Sequence, residues 1–220
     1  MSPASKPTAG VTLVELLIGM SLALMVMAAV LSSYTYMGRG LFRLVNQQTL
    51  QAQGRNALAY FAQDVRMASG LTDTGNLSAT RVSLIIPAGT GTNTITYYYN
   101  NTPSASSPVS VNGTNVIFPA NSFTRCVYNG STLTTRTLLT LRNVNDSTVA
   151  TRSDLTIRYY DASGNEYTSY TNYLSGIKQL ALEFTATTGN YKPSDAPSPQ
   201  TATYQVSSPR LIVRNRQLLQ

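Results

Sequence analysis

Gly10-Val11-Thr12-Leu13-Val14-Glu15 opens an apolar run that continues to Leu31, and Glu15 is the only charge in it. As a helix, about 21 apolar residues span the roughly 30 Å hydrocarbon core of a bilayer. A carboxylate at the centre of such a span costs about 2.5–3.5 kcal/mol on insertion scales. Glu15 lies near one end of the run, where water or a snorkelling side chain lowers that cost. Two other readings compete. A secretory signal peptide has a basic start, a short apolar core and a small-x-small cleavage site after it. The segment MSPASKPTAG before Val11 carries only Lys6, and the apolar run is too long and contains Glu15. The other alternative is a plain single-pass anchor with an incidental Glu15.

The same six residues, Gly10 to Glu15, resemble the class III signal of type IV prepilins and type II secretion pseudopilins. The resemblance implies a cut between Gly10 and Val11 by a membrane prepilin peptidase, which then N-methylates Val11. It also implies that Glu15, fifth in the mature chain, forms an assembly salt bridge with the freed amine of a neighbouring subunit. Such an amine, with an ordinary pKa of about 7.7–8.0, is largely protonated at neutral pH. Pairing it with Glu15 offsets the cost of burying both charges. Glycine before the cut offers the peptidase no side chain to clash with. The family usually has Phe after the cut, and this chain has Val11.

The resemblance implies an α+β, pilin-like fold: a long N-terminal helix, membrane-spanning in its first half, packed on an antiparallel β-sheet head. The expected division is a leader at 1–10, a transmembrane half-helix at 11–31, its amphipathic continuation at 32–69 and a β-rich head at 70–220. The implied partners are the prepilin peptidase and N-methyltransferase, other pilins or pseudopilins through their N-terminal helices, inner-membrane assembly machinery, and the lipid bilayer before assembly. The implied location is the cytoplasmic membrane with the head outside the cytoplasm, then a pilus or periplasmic pseudopilus. Charge alone does not settle orientation, because Arg39 and Arg43 after the span oppose only Lys6 and the N-terminal amine.

No proline interrupts Val11 to Ser69, so the helix is expected to continue for about 59 residues, roughly 88 Å at 1.5 Å per residue. Leu50, Leu58, Phe61, Val65 and Ala68, with Gly54 filling the gap, form one stripe of a 3.6-residue period. Gly70 supplies a stop, and Gly38 and Gly40 mark the expected point of bending or local melting.

From Leu71 the pattern changes to period two. Val82, Leu84 and Ile86 alternate up to Pro87, which is expected to end that strand; Ile95, Tyr97 and Tyr99, then Leu155, Ile157 and Tyr159, then Leu180, Leu182 and Phe184 follow the same rule. These read as antiparallel strands with one wet face. Asn112-Gly113, Asn129-Gly130 and Ser163-Gly164 supply turn chemistry. Asn101 to Ser110 and the proline-containing Thr187 to Thr203 read as loops. Arg55 to Ala68, Leu174 to Leu180 and Arg210 to Arg216 are similar to stretches of PilW-like minor pilins and GspJ-like minor pseudopilins. That similarity implies a minor subunit that primes or joins assembly of a pilus for motility, adhesion or DNA uptake, or alternatively a minor pseudopilin of a type II secretion system.

Composition bounds the chemistry. The chain contains no His, which excludes a His general base, a Ser-His-Asp triad and a His-ligated metal. No two of the carboxylates Asp64, Asp73, Asp146, Asp154, Asp161, Glu166, Glu183 and Asp195 sit at a recognisable catalytic spacing, so no enzyme and no cofactor is expected. Asp161-Ala-Ser-Gly-Asn165-Glu166 has oxygen donors suited to calcium but lacks the remaining ligands of a defined loop, and reads as a hairpin turn. Cys126 is the only cysteine, so no intrachain disulfide forms; in Phe123 to Tyr128 it reads as a buried small hydrophobe. The net charge is +7, or +6 without Lys6. A nucleic-acid contact would draw on Arg210, Arg214 and Arg216 with Tyr97, Tyr98, Tyr99, Tyr159 and Tyr160; the bland reading of these residues is strand filling and scattered surface charge.

Overall fold

The computed structural model describes residues 10–72, 77–89, 91–102, 105, 107–141, 155–167, 176–188 and 202–213. The chain divides into two compact units, Met1–Phe42 and Arg43–Gln220. Helix α1, Leu13–Met67, runs through the boundary between them. It begins two residues later and ends two residues earlier than the sequence suggests. Gly38 and Gly40 do not interrupt it, since each costs only about 1 kcal/mol against alanine and their neighbours are strong helix formers.

In the first unit the helix is apolar on every side and nothing covers it. Leu13, Val14, Leu16, Leu24 and Met25 are all more than half exposed. This helix is long and apolar enough to cross a membrane. Two of its hydroxyls are satisfied locally: Ser21 Oγ donates to the Ile18 carbonyl and Thr35 Oγ1 to the Ser32 carbonyl, each at 2.8 Å.

In the second unit one face of α1 enters the core through Leu50, Gly54, Ala57, Phe61, Asp64 and Val65, and Ala68 just past its end continues the stripe. Leu58 is only half-buried, and Ala57 takes its place on the stripe. Gly54 does more than fill a gap in the pattern. A Cβ there would meet Tyr204 Cε1 at 2.7 Å and Phe184 Cζ at 3.2 Å, so its bareness lets the sheet approach the helix backbone.

Eleven strands are described, in chain order β1 Gly70–Leu71, β2 Arg81–Ala88, β3 Gly91–Asn100, β4 Val109–Val111, β5 Thr114–Val116, β6 Ser122–Tyr128, β7 Leu133–Thr140, β8 Leu155–Tyr160, β9 Gln179–Thr188, β10 Ala202–Ser207 and β11 Leu211–Ile212. The first sheet has the order β1-β2-β3-β6-β7; in the second, β9 pairs β8 as well as β10 and β11; β4-β5 is a separate hairpin. Every pairing is antiparallel. One hydrophobic cluster joins Leu50, Phe61 and Val65 of α1 to Leu84, Tyr97 and Phe123 of the first sheet and to Ile157, Leu182 and Val213 of the second region.

Pro87 does not end its strand. The carbonyls of Ser83 and Ile85 accept from Thr72 and Ser69, so odd positions of β2 turn toward β1. Pro87 therefore faces past the end of β1, where its missing N–H costs no ladder bond. The two expected loops are shorter than read, because Val109 to Ser110 belongs to β4, Thr187 to Thr188 to β9, and Ala202 to Thr203 to β10. Most of the second loop lies outside the described residues. Asn112 (φ 49°) and Gly113 (φ 80°) make the two-residue β4-β5 turn, with both residues left-handed as such hairpins require.

The outer face of the first sheet is not wet as alternation suggests. Ser83, Thr96, Ser122 and Thr124 are buried, because the β4-β5 hairpin and Phe118 pack over this face against Tyr98 and Cys126. Buried hydroxyls are tolerated there because they pair with one another, Ser83 with Thr96 at 2.9 Å and Ser122 with Thr124 at 3.3 Å.

Candidate functional site

Gly10, Val11 and Glu15 lie at the start of α1. Gly10 and Val11 are exposed and precede the first helical residue, with no neighbour within 4 Å of a Cβ built on Gly10. Thr12 is the N-cap. Glu15 N donates to Thr12 Oγ1 at 3.3 Å, while Glu15 Oε2 accepts from Thr12 N and Thr12 Oγ1, both at 3.1 Å. This reciprocal pair is a capping box, which satisfies backbone donors that the first helical turn leaves without partners. The carboxylate also stands at the positive end of the helix dipole. Thr12-x-x-Glu15 is readable as such a box in the sequence. Glu15 thus has an intrachain task.

The acid that the sequence leaves without a role is Asp64. It is 1 % exposed and accepts from Arg125 Nε at 2.6 Å, Arg125 Nη2 at 3.1 Å and Tyr97 OH at 2.6 Å. Burial opposes the Arg125 cation, but the hydrogen bond and charge of Asp64 outweigh it and raise the Arg125 pKa. Burial, reinforced by Asp64, pushes the Tyr97 phenol upward, so it stays a donor. Outside this buried group, Tyr60 lies under the guanidinium of Arg136 at 4.9 Å and that of Arg125 at 5.6 Å. The group ties α1 to β3 and β6, and both oxygens of Asp64 accept from partners within the fold.

The other described carboxylates outside the N-terminal helix are also engaged. Arg158 bridges Glu183 and Glu166, each at 2.8 Å, and the hydrogen bonds it donates to these two acids raise its pKa. Asp161 accepts from the side chain and backbone nitrogens of Asn165, both at 2.8 Å, which holds its carboxyl below the usual range. Asp161 to Asn165 is thus a tied turn, with Gly164 at φ 89°. A shallow polar cleft of about 300 Å³ lies over Thr156, Glu183, Thr185, Gln205 and Ser207. Among the described residues, no group of three or more His, Cys, Asp or Glu converges as a metal site would require.

Cys126 is buried and free. Burial pushes its thiol up to about 12, although the Arg81 cation works in the other direction. Tyr97, Tyr99 and Tyr159 are buried, so they offer no ring to a nucleic-acid base. Arg210 is stacked on Tyr160 at 4.3 Å. Arg214, Arg216, Asp73, Asp146, Asp154 and Asp195 lie outside the described residues.

No protein-family model, curated protein or solved structure matches this chain.

Proposed function

We propose that this chain is a type IV pilin-like filament subunit, and within that class a minor pilin. The observation that carries the reading is the beginning of α1, where an exposed Gly10-Val11 peptide leads directly into an uncovered apolar helix whose first turn holds Glu15. Such a helix needs a cover: lipid before assembly, and neighbouring helices of the same kind after it. The task is structural rather than catalytic, which agrees with described head-domain carboxylates that are already engaged.

Glu15 then acts in sequence. In the isolated subunit it caps its own helix through Thr12. On assembly it turns to the methylated amine of a neighbouring subunit, and a pair of opposite charges replaces two hydrogen bonds from neutral donors. Gly10→Phe is expected to leave the leader attached. Glu15→Ala is expected to be cut normally yet to be missing from sheared filaments, and its normal incorporation there would remove the assigned role.

A further inference from the structure

We infer that the bilayer covers α1 from Leu16 to Tyr36, five residues further out than the run ending at Leu31 suggests. This placement rests on reading the helix as membrane-spanning, and it follows from markers at the two ends. Glu15 is the last charge before Arg39, so the helix is free of charge from Leu16 through Gly38. Tyr34 and Tyr36 are the first aromatic residues of the chain, and they project 73 % and 82 % exposed. Tyrosine concentrates at membrane–water interfaces, where its ring sits at the headgroup level and its hydroxyl meets water.

The distance between the markers fits. From Leu16 to Tyr36 the helix rises about 32 Å at 1.5 Å per residue, the thickness of a hydrocarbon core crossed at a tilt of about 20°. Ser32, Ser33 and Thr35 do not end the span, because a helix satisfies such hydroxyls itself. Thr35 Oγ1 donates to the Ser32 carbonyl just as Ser21 Oγ does to that of Ile18.

A span over 11–31 fares worse at both ends. It would draw Glu15 and its capping bonds about 6 Å into hydrocarbon and leave the apolar turn from Tyr34 to Met37 in water. The outer placement puts the capping box at the inner interface and Arg39 at about 4–5 Å beyond Tyr36, level with lipid phosphates. It also leaves the Gly10-Val11 peptide, which precedes the helix, outside the hydrocarbon on the inner side, exposed to a protease at the membrane surface.

The chain contains no Trp, so single tryptophans report depth without background. Ser21→Trp, Val26→Trp, Tyr36→Trp and Phe42→Trp would be made in the full chain and reconstituted in vesicles containing brominated lipids. The expected result is strongest quenching at Val26 by lipids brominated near the chain ends. Tyr36→Trp should respond to lipids brominated near the headgroup, and Phe42→Trp to neither. Deepest quenching at Ser21 with none at Tyr36 would overturn the placement while leaving the helix in the membrane. Quenching at no position would remove the membrane reading and the placement together.

Discussion

Asp64 is a charge placed where the helical stripe calls for an apolar residue, and its partners come from distant strands. Removing a partner from a buried ion pair costs roughly 3–5 kcal/mol, because the remaining charge is left in a poor solvent. Arg125 keeps 20 % of its side chain exposed, so the loss should be smaller. Asp64→Asn is expected to lower stability by about 2–3 kcal/mol in denaturant unfolding of the detergent-solubilised chain. The same measurement on Arg125→Met should recover part of that loss in the Asp64→Leu background, because no unpaired charge is then left. Cys126 makes a second prediction at this scale. Its thiol titrates at about 12 in the fold and near 8.5 in an unfolded chain. Between those values the unfolded state has released a proton that the native state still holds, so stability falls as pH rises. The slope approaches about 1.4 kcal/mol per pH unit between those values, and unfolding curves of Cys126→Ala should show a shallower alkaline decline.

At the scale of elements, α1 is one helix with two solvents. Its period-free apolar half and its striped second half were both legible in the sequence, as were the cores of β2, β3, β8 and β9. Composition at Phe123 to Tyr128 also showed Cys126 as buried. What did not show is what covers what. The alternation in β2 and β3 carries no sign that a β4-β5 hairpin covers the polar face, and Asp64 inside an apolar stripe looks like a solvated charge until Arg125 is placed. Pro87 reads as a stop because its tolerance depends on the length of a neighbouring strand. Gly54 is the sharpest case, since a gap in a stripe and a close approach look alike on paper. Gly54→Ala sets a methyl 2.7 Å from Tyr204 Cε1 and should destabilise the head by about 1–3 kcal/mol. Tyr204→Ala should relieve the clash when the two are combined, a coupling that a double-mutant cycle measures. At the other end, Thr12→Val removes the N-cap oxygen that bonds Glu15 N and is expected to cost about 0.5–2 kcal/mol locally. Faster amide exchange over Leu13 to Leu17 would report it.

For the whole molecule, the two units have different requirements. The second, Arg43–Gln220, is held by a common core that runs from α1 through both main sheets. The first buries nothing of its own, and on the proposed function lipid or other helices cover it. On the proposed function this difference suits a filament subunit, with a head that has its own core and a helix that completes its contacts on assembly. The central claim is that Gly10-Val11 is a processing site and that the helix beginning there is an assembly element. Intact mass with N-terminal sequencing of the protein recovered from membranes and from sheared filaments tests it most directly. The account predicts a mature chain that begins at N-methylated Val11 and is present in the sheared fraction. An uncut chain, or one cut near Ser32, would contradict it.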